Sequence, residues 1–212
     1  MRPVLTISRM PQRHPTLKPS VKRQTQILET ATVVFAEFGY RRTRVQDIAD
    51  RALVGKGTVY RIFPTKEALF LATVRYAVES LMEAVDRETE GIEDPIEQLK
   101  AAIKAYLRFF DAKPDIVELF LQERVEFRDL AKPTYFLYKD TRSQRWLSLI
   151  ETLLKQGKLR PFSPEIILET LSELLYGAIV IRHITASQVS LESRLEDQLS
   201  IVLNGILSKT PV

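Results

Sequence analysis

The spacing of apolar residues along the 212-residue chain predicts α-helices almost throughout. Ile27, Ala31, Val34 and Phe38 recur at intervals of four, three and four residues, which places them on one face of a first helix that Gly39 ends as a left-handed cap. No stretch of any length alternates apolar and polar residues as a half-buried strand does. We therefore expect an all-α fold.

Capping residues mark where further helices begin. Aspartate or serine followed by proline supplies an N-cap and a first helical residue, and this signal occurs at Asp94 and Ser163. Pro114 and Pro133 precede two more helices. Thr65 can cap a long helix that would run from the first part of the chain into the second.

Residues 43–66 predict two short helices joined by a sharp turn. The first would open at Thr43, whose hydroxyl can accept a hydrogen bond in the first turn, and the second would run from about Lys56 to Phe63. The exposed face of the second helix carries small, basic and hydroxyl-bearing residues: Lys56, Gly57, Thr58, Tyr60 and Arg61. In a helix-turn-helix the second helix enters the major groove of DNA, and this pattern indicates such an element.

Residues 22–75 resemble the TetR family of bacterial transcriptional regulators. The resemblance rests on a Phe-x-x-x-Gly-Tyr segment at 35–40, on Thr43 before the Ile48-Ala49 pair, and on the run Lys-Gly-Thr-Val-Tyr-Arg-Ile-Phe-Pro-Thr-Lys-Glu-Ala-Leu at 56–69. Two positions depart from the family pattern, which usually has Gly in the turn and Ser before Lys-Gly-Thr. This chain has Leu53 and Gly55 there. Because Gly permits unusual backbone angles, we expect the turn to survive with a slightly altered start of the second helix.

The resemblance also implies which residues contact DNA. The family's phosphate contacts fall on Thr43, Tyr60 and Lys66 of this sequence. Its contacts with base edges or the adjacent backbone fall on Arg44, Lys56, Gly57, Thr58 and Arg61. Phosphate contacts set affinity and base contacts set sequence choice, so the partner expected is a double-stranded DNA operator.

Charge is divided unevenly along the chain. Residues 1–75 contain 14 Lys or Arg against 5 Asp or Glu, whereas residues 76–212 contain 17 against 22. A basic segment followed by an acidic one indicates a nucleic-acid-binding domain attached to a different kind of domain. The alternative interpretation of the basic segment is a solvated surface with no partner. We assign residues 1–20 to a flexible basic tail, 21–66 to the DNA-binding domain, and 67–212 to a helical effector-binding and dimerisation domain.

The second part of the chain holds most of its aromatic residues, and the resemblance implies a small-molecule pocket there. The candidate pocket residues are Tyr106, Phe109, Phe110, Phe120, Phe127, Tyr138, Trp146, Tyr176 and His183. They suggest an apolar or aromatic effector. Each aromatic taken alone is more simply explained as core, and a DNA-binding protein without an effector is the alternative function.

The last two helices are too apolar for the surface of a monomer. The helix after Ser163 is apolar on more than one face, and the helix after it repeats leucine and other aliphatic residues. We predict a four-helix interface between two copies, as the resemblance also implies, with a monomer as the alternative. The interface residues expected are Leu171, Leu175, Ile179, Leu195, Leu199, Val202 and Ile206.

Composition argues against an enzyme. The chain has no cysteine and only two histidines, His14 and His183, so it has no clustered metal ligands of these types. The segment Gly55-Lys56-Gly57-Thr58 is not a phosphate loop, because Asp50 stands where the first glycine is required. We predict no catalytic residue, metal or cofactor. We also expect a cytoplasmic protein with no membrane partner, since neither an apolar run of about 20 residues nor a secretory signal is evident.

Overall fold

A computed structural model of the chain describes residues 19–193 and residue 201. These residues form eight α-helices and no β-strand, as the apolar spacing predicted. Residues 191–193 are also helical. The helices are α1 (Pro19–Arg42), α2 (Val45–Arg51), α3 (Lys56–Ile62), α4 (Lys66–Thr89), α5 (Pro95–Ala112), α6 (Asp115–Glu126), α7 (Thr134–Lys155) and α8 (Pro164–Ile184). Within these ranges no helix combines the length and apolarity that a membrane crossing requires.

Three of the predicted caps are confirmed. The Thr65 hydroxyl accepts from the Ala68 amide at 2.9 Å, and the Asp94 carboxylate accepts from the amides of Ile96 and Glu97 at 2.9 and 3.0 Å. The Ser163 hydroxyl accepts from the Ile166 amide at 3.2 Å. Side-chain oxygens thus satisfy amides that the first turn of a helix leaves unpaired.

The start of the domain differs from the prediction in three places. Residues 19 and 20 belong to α1 and not to a tail, while residues 1–18 lie outside the described residues. Gly39 interrupts α1 at φ 77° and ψ 157°, which is not the left-handed cap expected, and helix resumes to Arg42. Thr43 does not cap α2: it is buried, its hydroxyl donates to the Gly39 carbonyl at 2.8 Å, and Arg44 occupies the N-cap.

Helices α1, α2 and α3 form the head, and α4 to α8 form the body. Ile48, Ala49 and Val59 are fully buried between the three head helices. The Gln26 amide donates to the Ala52 carbonyl at 3.0 Å, which ties α1 to the turn between α2 and α3. The short α3 is therefore held in place by its neighbours, as an isolated helix of this length would not be stable.

Four aromatic rings join the head to the body. Phe35 and Tyr40 of α1 pack against Phe70 of α4, with ring centroids 5.0 and 5.1 Å from that of Phe70. Phe127, directly after α6, lies 5.0 Å from Tyr40 and 5.4 Å from Phe70. We call Phe35, Tyr40, Phe70 and Phe127 the aromatic joint. Burial of rings from α1, α4 and the end of α6 makes this contact apolar and resistant to separation.

Leu53 carries the unusual backbone of the helix-turn-helix. Its φ is +53°, while Gly55 is in an ordinary extended conformation at φ −68° and ψ 140°. We expected Gly55 to adopt backbone angles that other residues avoid, but its angles are open to any residue. Leu53 is also 88% exposed, so its side chain gains little from packing. A left-handed backbone is unfavourable for a residue with a Cβ atom.

Replacing Leu53 by Gly should stabilise the protein. Relief of the left-handed backbone is worth about 1 to 2 kcal/mol, and the extra freedom of Gly in the unfolded chain removes about 0.5 to 1 kcal/mol of that. We expect a net gain of about 0.5 to 1 kcal/mol in the free energy of unfolding, measured by urea denaturation at fixed protein concentration. Leu53→Ala is the matched control, because it removes the same apolar surface but keeps the strain. Equal stabilities of the two variants would contradict this account.

Candidate DNA-binding face and effector cavity

The outer face of α3 is exposed and carries the residues predicted for DNA binding. Lys56, Gly57, Tyr60 and Arg61 are exposed and Thr58 is half-buried, while Val59 points into the head and is fully buried. No heavy atom lies within 4 Å of a Cβ built on Gly57, so the protein itself does not require glycine at this position. This face can approach another surface closely.

The cations of the head are not equally available. The Arg44 guanidinium binds Asp47, with Nη2 at 2.7 Å from Oδ1 and Nε at 3.1 Å from Oδ2, and this hydrogen bond lowers the pKa of Asp47. Lys56 Nζ lies 5.9 Å from the centre of the Tyr60 ring. Arg61 has no ion pair with any residue that the structure describes. Arg61 is therefore the strongest candidate for reading a base edge.

Two residues predicted to bind phosphate make bonds within the protein. Lys66 Nζ donates to the carbonyls of Tyr40, Arg41 and Thr43 at 2.9, 3.2 and 3.2 Å, which uses all three of its protons. It also lies 4.6 Å from the centre of the Tyr40 ring. The buried Thr43 hydroxyl is directed at the Gly39 carbonyl. The Lys66 ammonium thus holds the end of α1 against the start of α4, while the Thr43 hydroxyl bonds back onto α1. Phosphate contacts by these two residues stay a prediction.

A cavity of about 130 Å³ lies in the body between α4, α5, α7 and α8. Its walls are mostly apolar, and they combine residues from all four helices. The lining consists of Leu81, Met82, Val85, Leu99, Ala102, Ile103, Tyr106, Tyr135, Lys139, Arg142, Ser143, Trp146, Leu168, Leu171, Ser172 and Leu175. A concave, mostly apolar space with a few polar groups is typical of a small-molecule site.

Only two of the predicted pocket residues, Tyr106 and Trp146, line this cavity. Phe109, Phe110 and Phe120 are buried in the core of the body, and Phe127 belongs to the aromatic joint. The remaining side chains are directed elsewhere: Tyr138 donates to Glu79 at 2.6 Å, Tyr176 packs on Tyr135 and Phe136, and His183 pairs with Glu118 at 2.9 Å. Two of them, Phe110 and His183, line a second cavity beside α5, α6 and α8. The apolar character of the aromatic residues alone did not distinguish core from cavity.

The polar lining residues that the sequence reasoning missed lie on one stripe of α7. Lys139, Arg142 and Ser143 fall at helical spacing between Tyr135 and the predicted Trp146, and all five line the cavity. Polar residues between two aromatic residues on the inner side of a helix are the signal that could have found them. The buried face of a helix is normally apolar, so polar residues on that face indicate that it borders a cavity and not packed core side chains.

The dimer-interface residues predicted on α8 are also placed differently. Leu171 and Ile179 are buried inside the subunit, and Leu175 lines the cavity, so these three residues cannot form the outer contact surface. The predicted residues Leu195, Leu199, Val202 and Ile206 lie outside the described residues. The apolar side chains that α8 exposes are instead Ile166, Ile181 and Ile184.

An exposed basic face on a helix-turn-helix, attached to a helical body with an internal cavity, defines a class of DNA-binding regulators. The sequence profile described as "Bacterial regulatory proteins, tetR family" matches residues 27–73. The HTH-type transcriptional regulator YhgD of Bacillus subtilis is 30% identical over 148 residues, which span 69% of this chain and 77% of YhgD. The chain belongs to the tetR family and is a transcriptional regulator, not an enzyme.

Other relatives extend the similarity over nearly the whole chain. The HTH-type transcriptional repressor KstR2 of Rhodococcus jostii is 27% identical over 188 residues, covering 88% of this chain and 92% of KstR2. The crystal structure of the regulator FadR from Bacillus subtilis in complex with stearoyl-CoA has the same fold, with a TM-score of 0.71 and 17% identity over 84% of this chain and 96% of FadR.

Replacing Lys66 by Met should destabilise the fold. The substitution leaves three carbonyls without their shared donor, two of them partly buried, and we expect a loss of about 1 to 3 kcal/mol in the free energy of unfolding. Urea denaturation beside Lys22→Met, which removes an exposed lysine of α1, measures the difference. If Lys66→Met kept its stability but bound all operator sequences more weakly, Lys66 would contact phosphate as predicted and would not be needed for the fold.

Proposed function

We propose that this regulator is a homodimeric repressor that binds a near-palindromic operator and leaves it when a small, apolar effector occupies the cavity. The bacterial cytoplasm, where such an operator would lie, is the proposed location. This proposal makes DNA binding, dimerisation and effector binding three parts of one mechanism. KstR2, a similar protein, is a repressor, and FadR, of the same fold, binds stearoyl-CoA.

The observation that carries the proposal is the continuity of α4. Its first residue, Lys66, is bonded to the end of α1 in the head, and Leu81, Met82 and Val85 further along the same helix line the cavity. The 24 residues of α4 span about 36 Å without a break. A ligand that shifts the cavity end of α4 therefore moves the head with it.

The outer face of α8 supports a two-fold dimer. Ile166, Ile181 and Ile184 are 58, 49 and 69% exposed, and Gly177 lies between them where a Cβ would meet no atom within 4 Å. Leu174, half-buried, lies on the same face. Exposed Thr170 and Glu173 lie on this face nearer its start, so the apolar part runs from Leu174 to Ile184. Exposed apolar surface is costly in water, and a second copy of the helix would cover it.

Dimerisation gives the DNA contact its geometry. Two α3 helices related by a two-fold axis fit successive major grooves when they are about 34 Å apart, so each operator half is read by one subunit. We assign base or backbone contacts to Arg44, Lys56, Gly57, Thr58, Tyr60 and Arg61, all on or beside the exposed face of α3. Repression then follows from occupation of a promoter by the dimer.

Operator binding tests the role of α3. Operator fragments are first selected from a random-sequence duplex pool with the purified protein. Arg61→Ala should then bind the selected operator about 1 to 3 kcal/mol more weakly, roughly 5- to 150-fold, and discriminate less between bases at one position of each half. Fluorescence anisotropy at fixed salt measures both effects. Arg87→Ala, which removes an exposed arginine from the body, is the control and should bind normally. Unchanged binding by Arg61→Ala would remove this residue from the interface.

Sedimentation tests the proposed dimer face. Ile181→Asp places a charge in the centre of the apolar stripe, where burial of an unpaired carboxylate is strongly unfavourable, and we expect a monomer at micromolar concentration. Val125→Asp changes a residue of α6 that is 54% exposed and should remain dimeric. A dimer that survives Ile181→Asp, or a monomeric mass for the unmodified protein, counts against this face.

A further inference from the structure

The charged residues that line the cavity are both cations. Lys139 and Arg142 lie one turn apart on α7, and no carboxylate is among the lining residues. A neutral apolar ligand would gain nothing from these groups, and a cationic one would be repelled by them. The two cations in the lining therefore favour an anionic ligand, which the apolar residues alone would not indicate.

The charges around the cavity do not cancel. Asp86 is the carboxylate that pairs with both Arg142 and Arg145, and Arg145 also donates to Thr89 at 2.8 Å. Lys139 has no carboxylate within ion-pair distance among the residues that the structure describes, and the neighbouring Glu79 is bonded to the Tyr138 hydroxyl. Asp86 is thus shared by two arginines, Glu79 keeps its charge beside the neutral Tyr138, and the half-buried Lys139 has no ion pair of its own among the described residues.

A hydroxyl pair lies one helical turn from Lys139. Tyr106 and Tyr135 both line the cavity, and their hydroxyl oxygens are 3.1 Å apart. Two hydroxyls hold two protons, and their mutual bond uses one. No acceptor for the second lies within hydrogen-bond distance in the described part of the chain. Burial raises the pKa of Tyr135 to about 12, so these groups stay protonated donors at neutral pH.

The size of the cavity suits a small apolar group. A dry cavity of roughly 150 Å³ in another protein accommodates a benzene ring. The 130 Å³ here is of similar size, and its wall opposite α7 is formed by aliphatic residues of α4, α5 and α8. One ring or a short chain fits this space without rearrangement of the helices.

We propose that the effector is a small amphipathic monocarboxylate, with one ring or a short chain inside the cavity and its carboxylate bound by Lys139 and the spare tyrosine hydroxyl. The inference rests on the proposed effector response and adds the chemical class of the effector. A carboxylate accepts hydrogen bonds from an ammonium and a hydroxyl at once, which matches the donors that the cavity leaves unpaired. Arg142, which shares Asp86 with Arg145, borders the same site.

A matched set of probes tests the charge. 3-Phenylpropionate, 3-phenylpropionamide and 3-phenylpropylamine share one ring and chain but are anionic, neutral and cationic at pH 7. Isothermal titration of the full-length protein should give tighter binding for the carboxylate than for the amide by about tenfold or more, with no binding of the amine. Hexanoate and palmitate test the size, and hexanoate should bind better. Equal binding of the three phenyl probes, or no binding of any carboxylate up to millimolar concentration, would overturn the proposal.

A lysine substitution tests the site. Lys139→Met keeps the length of the side chain and removes its charge, and it should weaken binding of 3-phenylpropionate by about tenfold to a hundredfold while leaving the amide unchanged. Lys155→Met, an exposed lysine at the end of the same helix, is the matched control. Circular dichroism and operator affinity of both variants confirm folding. Failure of the unmodified protein to bind any operator would count against the proposed function and not against the effector class. If Lys139→Met still preferred the carboxylate over the amide as strongly as the unmodified protein does, Lys139 would not be the carboxylate's partner.

Discussion

The bond between Lys66 and the end of α1 is the constraint on which the rest of the structure depends. Its ammonium binds three carbonyls at the point where the backbone of α1 has been interrupted at Gly39, and it does so from the first residue of α4. Carbonyls at a helix end need partners, and here one side chain provides them. The head cannot turn away from α4 without breaking these bonds. The orientation of α3 is thereby linked to a helix that extends into the body.

A second connection runs through α6. The Gln122 amide donates to the Phe35 carbonyl at 3.0 Å, Arg41 pairs with Glu126 at 2.9 Å, and Phe127 completes the aromatic joint. The head is thus held by two helices of the body, and a relative movement of α4 and α6 would tilt it. Packed interfaces shift between discrete arrangements rather than deforming continuously, so a small displacement at the cavity can be amplified into such a movement. The exposed Arg41–Glu126 pair contributes little by itself, so the rings and the lysine are the stronger part of this connection.

Helix α7 shows how one helix can serve both folding and ligand chemistry. Leu149, Ile150 and Leu153 near its end are buried and pack as core, whereas the turns before them present Tyr135, Lys139 and Arg142 to the cavity. Asp86 of α4 pairs with both Arg142 and Arg145, so part of the charge beside the cavity has a structural partner. Lys139 has no such partner among the described residues. The same fold in FadR binds stearoyl-CoA, but at 17% identity the ligand of this chain has to be argued from its own residues.

The sequence by itself determined the helical fold, the caps at Thr65, Asp94 and Ser163, and the helix-turn-helix, because local spacing and capping chemistry specify these features within a few residues. Only the tertiary structure decided what the individual side chains do. Lys66 binds the end of α1 because carbonyls from a distant part of the chain reach it, and Leu171 and Ile179 proved internal because α8 turns that face to the body. Most predicted pocket aromatics proved to be core for the same reason: which side of an apolar helix borders an empty space depends on how neighbouring helices pack, and no local pattern encodes that.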